Sequence, residues 1–145
     1  SKGVKVTIFG NGWSGLKDRY ANLIIKDKPV YGEKYVEVIN NSKINLGFLR
    51  KINRDEVTSR TMEINACESF LIAERTSRHT ELFIEGKEAE FFSTNKELYE
   101  KIQHYLTHDN LISEMSSRGR ARCIRSRYDM TNQVSLILTV TKGRI

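Results

Sequence analysis

One proline, two cysteines and one tryptophan are all that 145 residues hold of these types. With a single proline, no internal repeat and no low-complexity tract, nothing marks a linker inside the chain. Cys67 and Cys123 stand far apart and fit neither a metal-ligand spacing nor a disulfide framework, so a reduced, cytoplasmic setting is expected. His79, His104 and His108 form no metal motif. The last two are four apart on an expected helix but lack cysteine or acidic companions, so no metal is expected. No apolar run approaches the roughly 18 residues that cross a bilayer. Val4–Phe9 is too short for a signal peptide and lacks its flanks.

Positive charge is in surplus. Lys and Arg number 24 against 18 Asp and Glu, a net charge of +6. That balance favours nucleic acid, phosphorylated small molecules or an acidic membrane surface, and does not choose among them. At 39% apolar and 29% charged, the composition is that of a soluble globular protein of one domain with a real core. The chain opens Ser1-Lys2-Gly3 without methionine, so a piece of a longer protein is expected.

Strand and helix patterns alternate along the chain. Val4–Phe9 reads as a buried strand ending in the turn Gly10-Asn11-Gly12. A short helix pattern covers Glu33–Asn41, and Ile44–Leu49 reads as a second strand. Residues 58–67 suit a helix capped by Thr58 or Ser59. Phe70–Ala73 is the short apolar run of a central parallel strand. A helix over 78–84 with Gly86 as its stop, a strand at Ala89–Phe92 and the capping box Thr94-x-x-Glu97 follow. Asp109 is expected to cap the next helix, and Val134–Val140 reads as a last helix packed on the sheet or on an absent partner domain. This order implies an α/β fold, one Rossmann-like parallel sheet sandwiched by helices. Ligands of such sheets bind beyond the carboxyl ends of the strands, which directs attention to the loops after Phe9, Leu49 and Ala73.

The segment Asp55–Gly86 carries the chemistry. Asp55 and Glu63 straddle a helix start, and Glu63-Ile64-Asn65-Ala66-Cys67-Glu68 runs into the strand Phe70–Ala73. Acidic residues near helix starts are common for dipole reasons, so the order and spacing together matter more than either residue. In that order the chain resembles the carboxy-terminal domain of GT-B glycosyltransferases, in particular the bacterial branch grouped with spore-maturation glycosyltransferases. The family's paired carboxylates match Asp55 and Glu63, and its Glu-x-x-Ala-Cys-Gly ending matches Glu63–Glu68. The strand and loop match Phe70–Thr76, and the trailing helix matches Glu81–Glu88.

The resemblance implies one half of a GT-B architecture that binds a UDP-, GDP- or other nucleotide-diphosphate sugar, with no cofactor. It also implies a hexosyltransferase-type enzyme whose acceptor site lies on an N-terminal domain outside this chain, so that the isolated domain is inactive. Glu63 is then the ribose ligand and Asp55 the ligand of the sugar hydroxyls, because a carboxylate accepts two hydroxyls in short, charge-assisted bonds. Arg60, then Arg75 and Arg78, are candidates for the diphosphate, with hydroxyls from Thr76 and Ser77 and free N–H groups of the helix starting near Ser77. Stabilising the departing diphosphate makes such cations catalytic in effect. The chain departs from the family at Glu68, where glycine is usual, at Ser77-Arg78, where a glycine pair is common, and at Asp55, where glutamate is usual.

Two further patterns compete. Gly10-x-Gly12-x-x-Gly15 matches a dinucleotide fingerprint, but neither a clear helix nor a suitably spaced acidic residue follows it. Arg118, Arg120, Arg122, Arg125 and Arg127 form a basic run with only Tyr128 for stacking. It reads first as a solvated helix face, so no nucleic acid is expected, while a peripheral contact with anionic lipid stays open. A basic nucleic-acid module and a degenerate, non-catalytic interaction domain remain the alternatives.

Overall fold

The hydrogen-bonded strands form two parallel sheets where alternation along the sequence suggests one. The computed structural model describes residues 3–142. They fall into two units that meet between Val38 and Ile39. In the first, β1 (Val6–Phe9) pairs in parallel with β2 (Leu23–Lys26), Val6 opposite Leu23. Their connection turns through Gly10 and Gly12, both at positive φ, and then makes only a short 3-10 turn at Ser14–Leu16. No helix opens behind Gly15, so the fingerprint lacks the helix N-terminus that holds a pyrophosphate. Helix α1 (Gly32–Asn40) spans the boundary between the units.

The second unit holds β3 (Asn45–Gly47), β4 (Leu71–Glu74) and β5 (Glu90–Phe92), all parallel, with β4 in the middle. Between them run α2 (Ser59–Ala66) and α3 (Ser77–Leu82), and after them α4 (Asn95–Leu106), α5 (Asp109–Arg125) and α6 (Met130–Lys142). As expected of a strand covered on both faces, Leu71, Ile72 and Ala73 are buried throughout. On one face Phe70, Ile72 and Phe92 pack with Tyr105 of α4 and Met115 of α5, and the Phe70 and Tyr105 rings lie 4.6 Å apart. On the other, Phe91 stacks on His79 of α3 at 5.3 Å.

Helix ends depart from the expected caps in small, explicable ways. Thr94 caps α4 through the Glu97 N–H at 3.1 Å, but the Glu97 carboxylate accepts from Ser93 N, one residue earlier than a capping box requires. His108, not Asp109, occupies the N-cap position of α5, and Asp109 instead pairs with Lys43. Helix α3 stops at Leu82 because Phe83 turns extended to fill the core. Gly86, at φ 74°, then shapes the turn into β5. The final helix forms, but Leu136, Ile137, Leu138 and Val140 are all more than half exposed.

Helices α2 and α5 touch where α5 has no side chain. A Cβ at Gly119 would meet Asn65 Oδ1 and lie 2.7 Å from the Glu88 carbonyl oxygen. Alanine ordinarily favours a helix over glycine by about 1 kcal/mol. Here Gly119→Ala is expected to lower stability by about 1–3 kcal/mol, because overpacking outweighs propensity. Urea denaturation of the two proteins checks the sign.

Candidate functional site

At the carboxyl ends of β3 and β4, the loop after β3 and the turn into α3 are stitched together by one hydroxyl. Thr76 Oγ1 donates to the Glu56 carbonyl at 2.7 Å and accepts from the His79 N–H at 3.0 Å. It thereby caps α3 and pins the loop that carries Asp55. Ser77 Oγ adds a longer contact, 3.4 Å, to Glu56 Oε1. Beneath them Thr61 of α2 lies 2.9 Å from His79 Nε2, and His79 Nδ1 lies 2.7 Å from the Glu74 carbonyl. A carbonyl only accepts, so Nδ1 carries the ring proton. Burial lowers the His79 pKa and keeps the ring neutral, so the Thr61 hydroxyl donates to Nε2. This histidine, fully buried, is a pin between α2 and α3; no spacing in the sequence marked it.

The residues expected to form the site divide into open and committed groups. Asp55 is half-buried, and neither its side chain nor that of the exposed Arg60 makes a hydrogen bond or ion pair among the described residues. Glu63 is exposed one turn beyond Arg60, on the same face of α2. Thr58 stands at the N-cap of α2 without a side-chain cap, and of the first-turn N–H groups that of Thr61 bonds the Thr58 carbonyl at 3.1 Å. At α3 the opposite holds, since the Thr76 hydroxyl already closes the N-terminus that was expected to face a phosphate. Arg78 turns along α3 to Glu81 at 2.8 Å.

Arg75 is the most fully committed of them. Its Nε donates to Glu85 Oε2 at 3.1 Å. Nη1 bonds Ser93 Oγ at 2.5 Å and Glu97 Oε2 at 3.1 Å. Nη2 bonds Glu85 Oε1 and Glu97 Oε1, both at 2.5 Å, and the Phe91 carbonyl at 3.0 Å. All three nitrogens are spent on the protein, so an arginine read as a phosphate ligand is instead the tie between β4, β5 and α4. Lys101 joins the same group through Glu85 and Glu90, and the Tyr105 hydroxyl donates to Glu90 at 2.6 Å. The bonds from Arg75, then the Ser93 N–H, hold the Glu97 carboxyl at about 2.

The arginines of the basic run are mostly exposed, as a solvated face implies, but three of them also bond to groups beyond their own helix. Arg120 donates to the Ala66 carbonyl at 2.8 Å, and Arg122 to the Leu82 carbonyl at 2.9 Å, so each closes the C-terminus of a helix. Arg125 lies 3.4 Å from the buried Glu88 carboxylate. By contrast Arg50, Lys51 and Arg54, in the loop after β3, are exposed and make no ion pair among the described residues. They lie within five residues of one another in the sequence. A depression of about 530 Å³ opens at the amino ends of the strands instead, among Lys43, Ser69, Phe70 and Asp109.

Residues 1–139 match the glycosyl transferase-like family. The chain belongs to that family. A search of curated proteins found no match. Within a glycosyl transferase-like chain of this α/β architecture, the residue at position 68 takes on a conformational meaning. Glu68 sits at φ 57°, in the left-handed region. Its N–H bonds the Asn65 carbonyl at 3.0 Å and the Ser69 N–H bonds Ile64 O at 3.2 Å, the two bonds of a Schellman motif ending α2. Glycine suits that position because it lacks a Cβ. The Glu68 side chain is about half exposed and lies 3.8 Å from Arg120.

Two outcomes are expected. Glu68→Gly relieves a left-handed residue costing about 1–2 kcal/mol, set against about 0.5–1 kcal/mol of added chain entropy in the unfolded state. The exposed pair with Arg120 adds little. The variant should therefore be up to about 1 kcal/mol more stable in chemical denaturation. Glu97 has its carboxyl lowered from the usual 4.5 to about 2 by folding. It stabilises the fold fully above the higher value, and loses that contribution as pH falls from 4.5 to about 2. Glu97→Gln should be less stable at neutral pH, with a flatter dependence of stability across that acid window. Denaturation midpoints measured from pH 2 to 7 test it.

Proposed function

We propose that this glycosyl transferase-like chain binds a nucleotide-diphosphate sugar at the carboxyl edge of its three-stranded sheet, as one half of a GT-B enzyme. The observation that carries the reading is the bond from Thr76 to the Glu56 carbonyl, which holds the Asp55 loop against the turn after β4. Family membership over residues 1–139 supports it. Glu63 accepts the ribose hydroxyls and Asp55 the hydroxyls of the sugar. Arg60, with the N–H groups of the α2 N-terminus, takes the diphosphate in place of Arg75 and Arg78. When the glycosidic bond to phosphate breaks, negative charge grows on the departing oxygen, and Arg60 is placed to neutralise it. Ser77 and Thr76 position the loop through Glu56.

Transfer in this reading needs a second domain carrying the acceptor, so the chain by itself binds the donor without turning it over. Two free thiols, Cys67 and Cys123, support a cytoplasmic setting. Among the described residues no helix is long and apolar enough to cross a membrane.

Calorimetric titration with UDP, GDP and a short oligonucleotide tests the proposal. The nucleotides are expected to bind, and Glu63→Gln should weaken that binding about 10- to 100-fold, the range for a lost charge-assisted hydrogen bond. Binding of the oligonucleotide alone, with a steep salt dependence, would establish the nucleic-acid reading instead. Nucleotide binding indifferent to Glu63→Gln would refute the site.

A further inference from the structure

We infer that the tip of the loop after β3 is a membrane-docking element that seats on an anionic lipid surface. Ile52 stands at its apex with 92% of its surface exposed, and Phe48 at its base is 56% exposed. The apex is an ordered turn, closed by bonds from Asn53 N to Arg50 O and from Arg54 N to Lys51 O, each 3.1 Å. Both ends of the loop are anchored. The Phe48 ring packs edge-on against Phe92 at 5.8 Å, and the Glu56 carbonyl is held by Thr76. An aliphatic side chain is therefore displayed on a fixed support, not left at the end of a loose loop.

Charge decides what this display fits. Arg50, Lys51 and Arg54 flank the apex and are exposed. Between Phe48 and Arg54 there is no acidic residue. An apolar tip ringed by cations matches a lipid interface, where an aliphatic group enters beside the acyl boundary and cations meet anionic headgroups. A nucleic acid asks for aromatic platforms; the apex residue is an isoleucine, and the loop's aromatic ring, Phe48, already packs edge-on against Phe92. On α5, Arg120 and Arg122 are turned to helix carbonyls, Arg125 to Glu88 and Arg118 to Glu114. Helix α6 is apolar but carries no charged residue from Met130 to Thr141. The inference does not depend on the nucleotide-sugar reading.

Sedimentation of the 145-residue chain with vesicles tests it. One set is pure phosphatidylcholine, the other phosphatidylcholine with phosphatidylglycerol. Binding is expected to the anionic vesicles only, and to fall as salt rises. Arg50→Gln and Lys51→Gln should each lower the partition about five-fold. Ile52→Ser, which leaves charge unchanged, should lower it by roughly the same factor or more while UDP and GDP titrations stay unaltered. All three positions are exposed, and far-UV circular dichroism verifies that the variants fold. Vesicle binding insensitive to Ile52→Ser, binding lost with Leu136→Ser in α6 instead, or oligonucleotide binding that needs the same cations would each overturn the inference. Intact vesicle binding without nucleotide binding would count against the donor site alone.

Discussion

Arg75 lies between the carboxylates of Glu85 and Glu97, and much of the second unit is arranged around that neutralisation. The guanidinium follows directly on β4, Glu85 lies in the turn before β5, and Glu97 opens α4. Through Lys101 and Glu90 the same group reaches β5 and the Tyr105 hydroxyl, where the apolar core begins. Each carboxylate there is satisfied by several donors. That is the condition under which partly buried charge does not count against the fold. Removing any one member leaves its partners charged and short of bonds.

A second constraint concerns helix ends. The helices between strands are short, eight residues in α2 and six in α3, so their terminal carbonyls are a large share of their backbone groups. Arg120 and Arg122 reach from α5 to close both, and Gly119 between them lets the helix come close enough to do so. Glu68 completes the ending of α2 in a conformation that glycine would adopt more readily. The departure at that position therefore bears on stability first. Its carboxylate lies 3.8 Å from Arg120.

These commitments leave the carboxyl edge of the sheet as the place where polar groups remain open. Arg60, Asp55 and the uncapped start of α2 sit beside a loop already fixed by Thr76. Arg75 and Thr76, close by in sequence, serve that edge by holding its walls. In the proposed donor site the positioning residues are distinct from those assigned to the ligand, although both are drawn from the same short segment.

The sequence alone determined the class of fold, the burial of Leu71–Ala73, most helix positions and the family, because hydrophobic period and motif spacing are local properties. Pairing was another matter. Separation of the strands into two sheets and the uncovered face of α6 depend on contacts between distant segments. Only tertiary structure told the open cations from the spent ones. Arg75 and Arg60 are alike in charge and each adjoins the start of a helix, yet Glu85, Ser93 and Glu97 fold back onto the first and nothing described folds back onto the second. An arginine's availability is set by what surrounds it in space, and its neighbours in the chain do not record that.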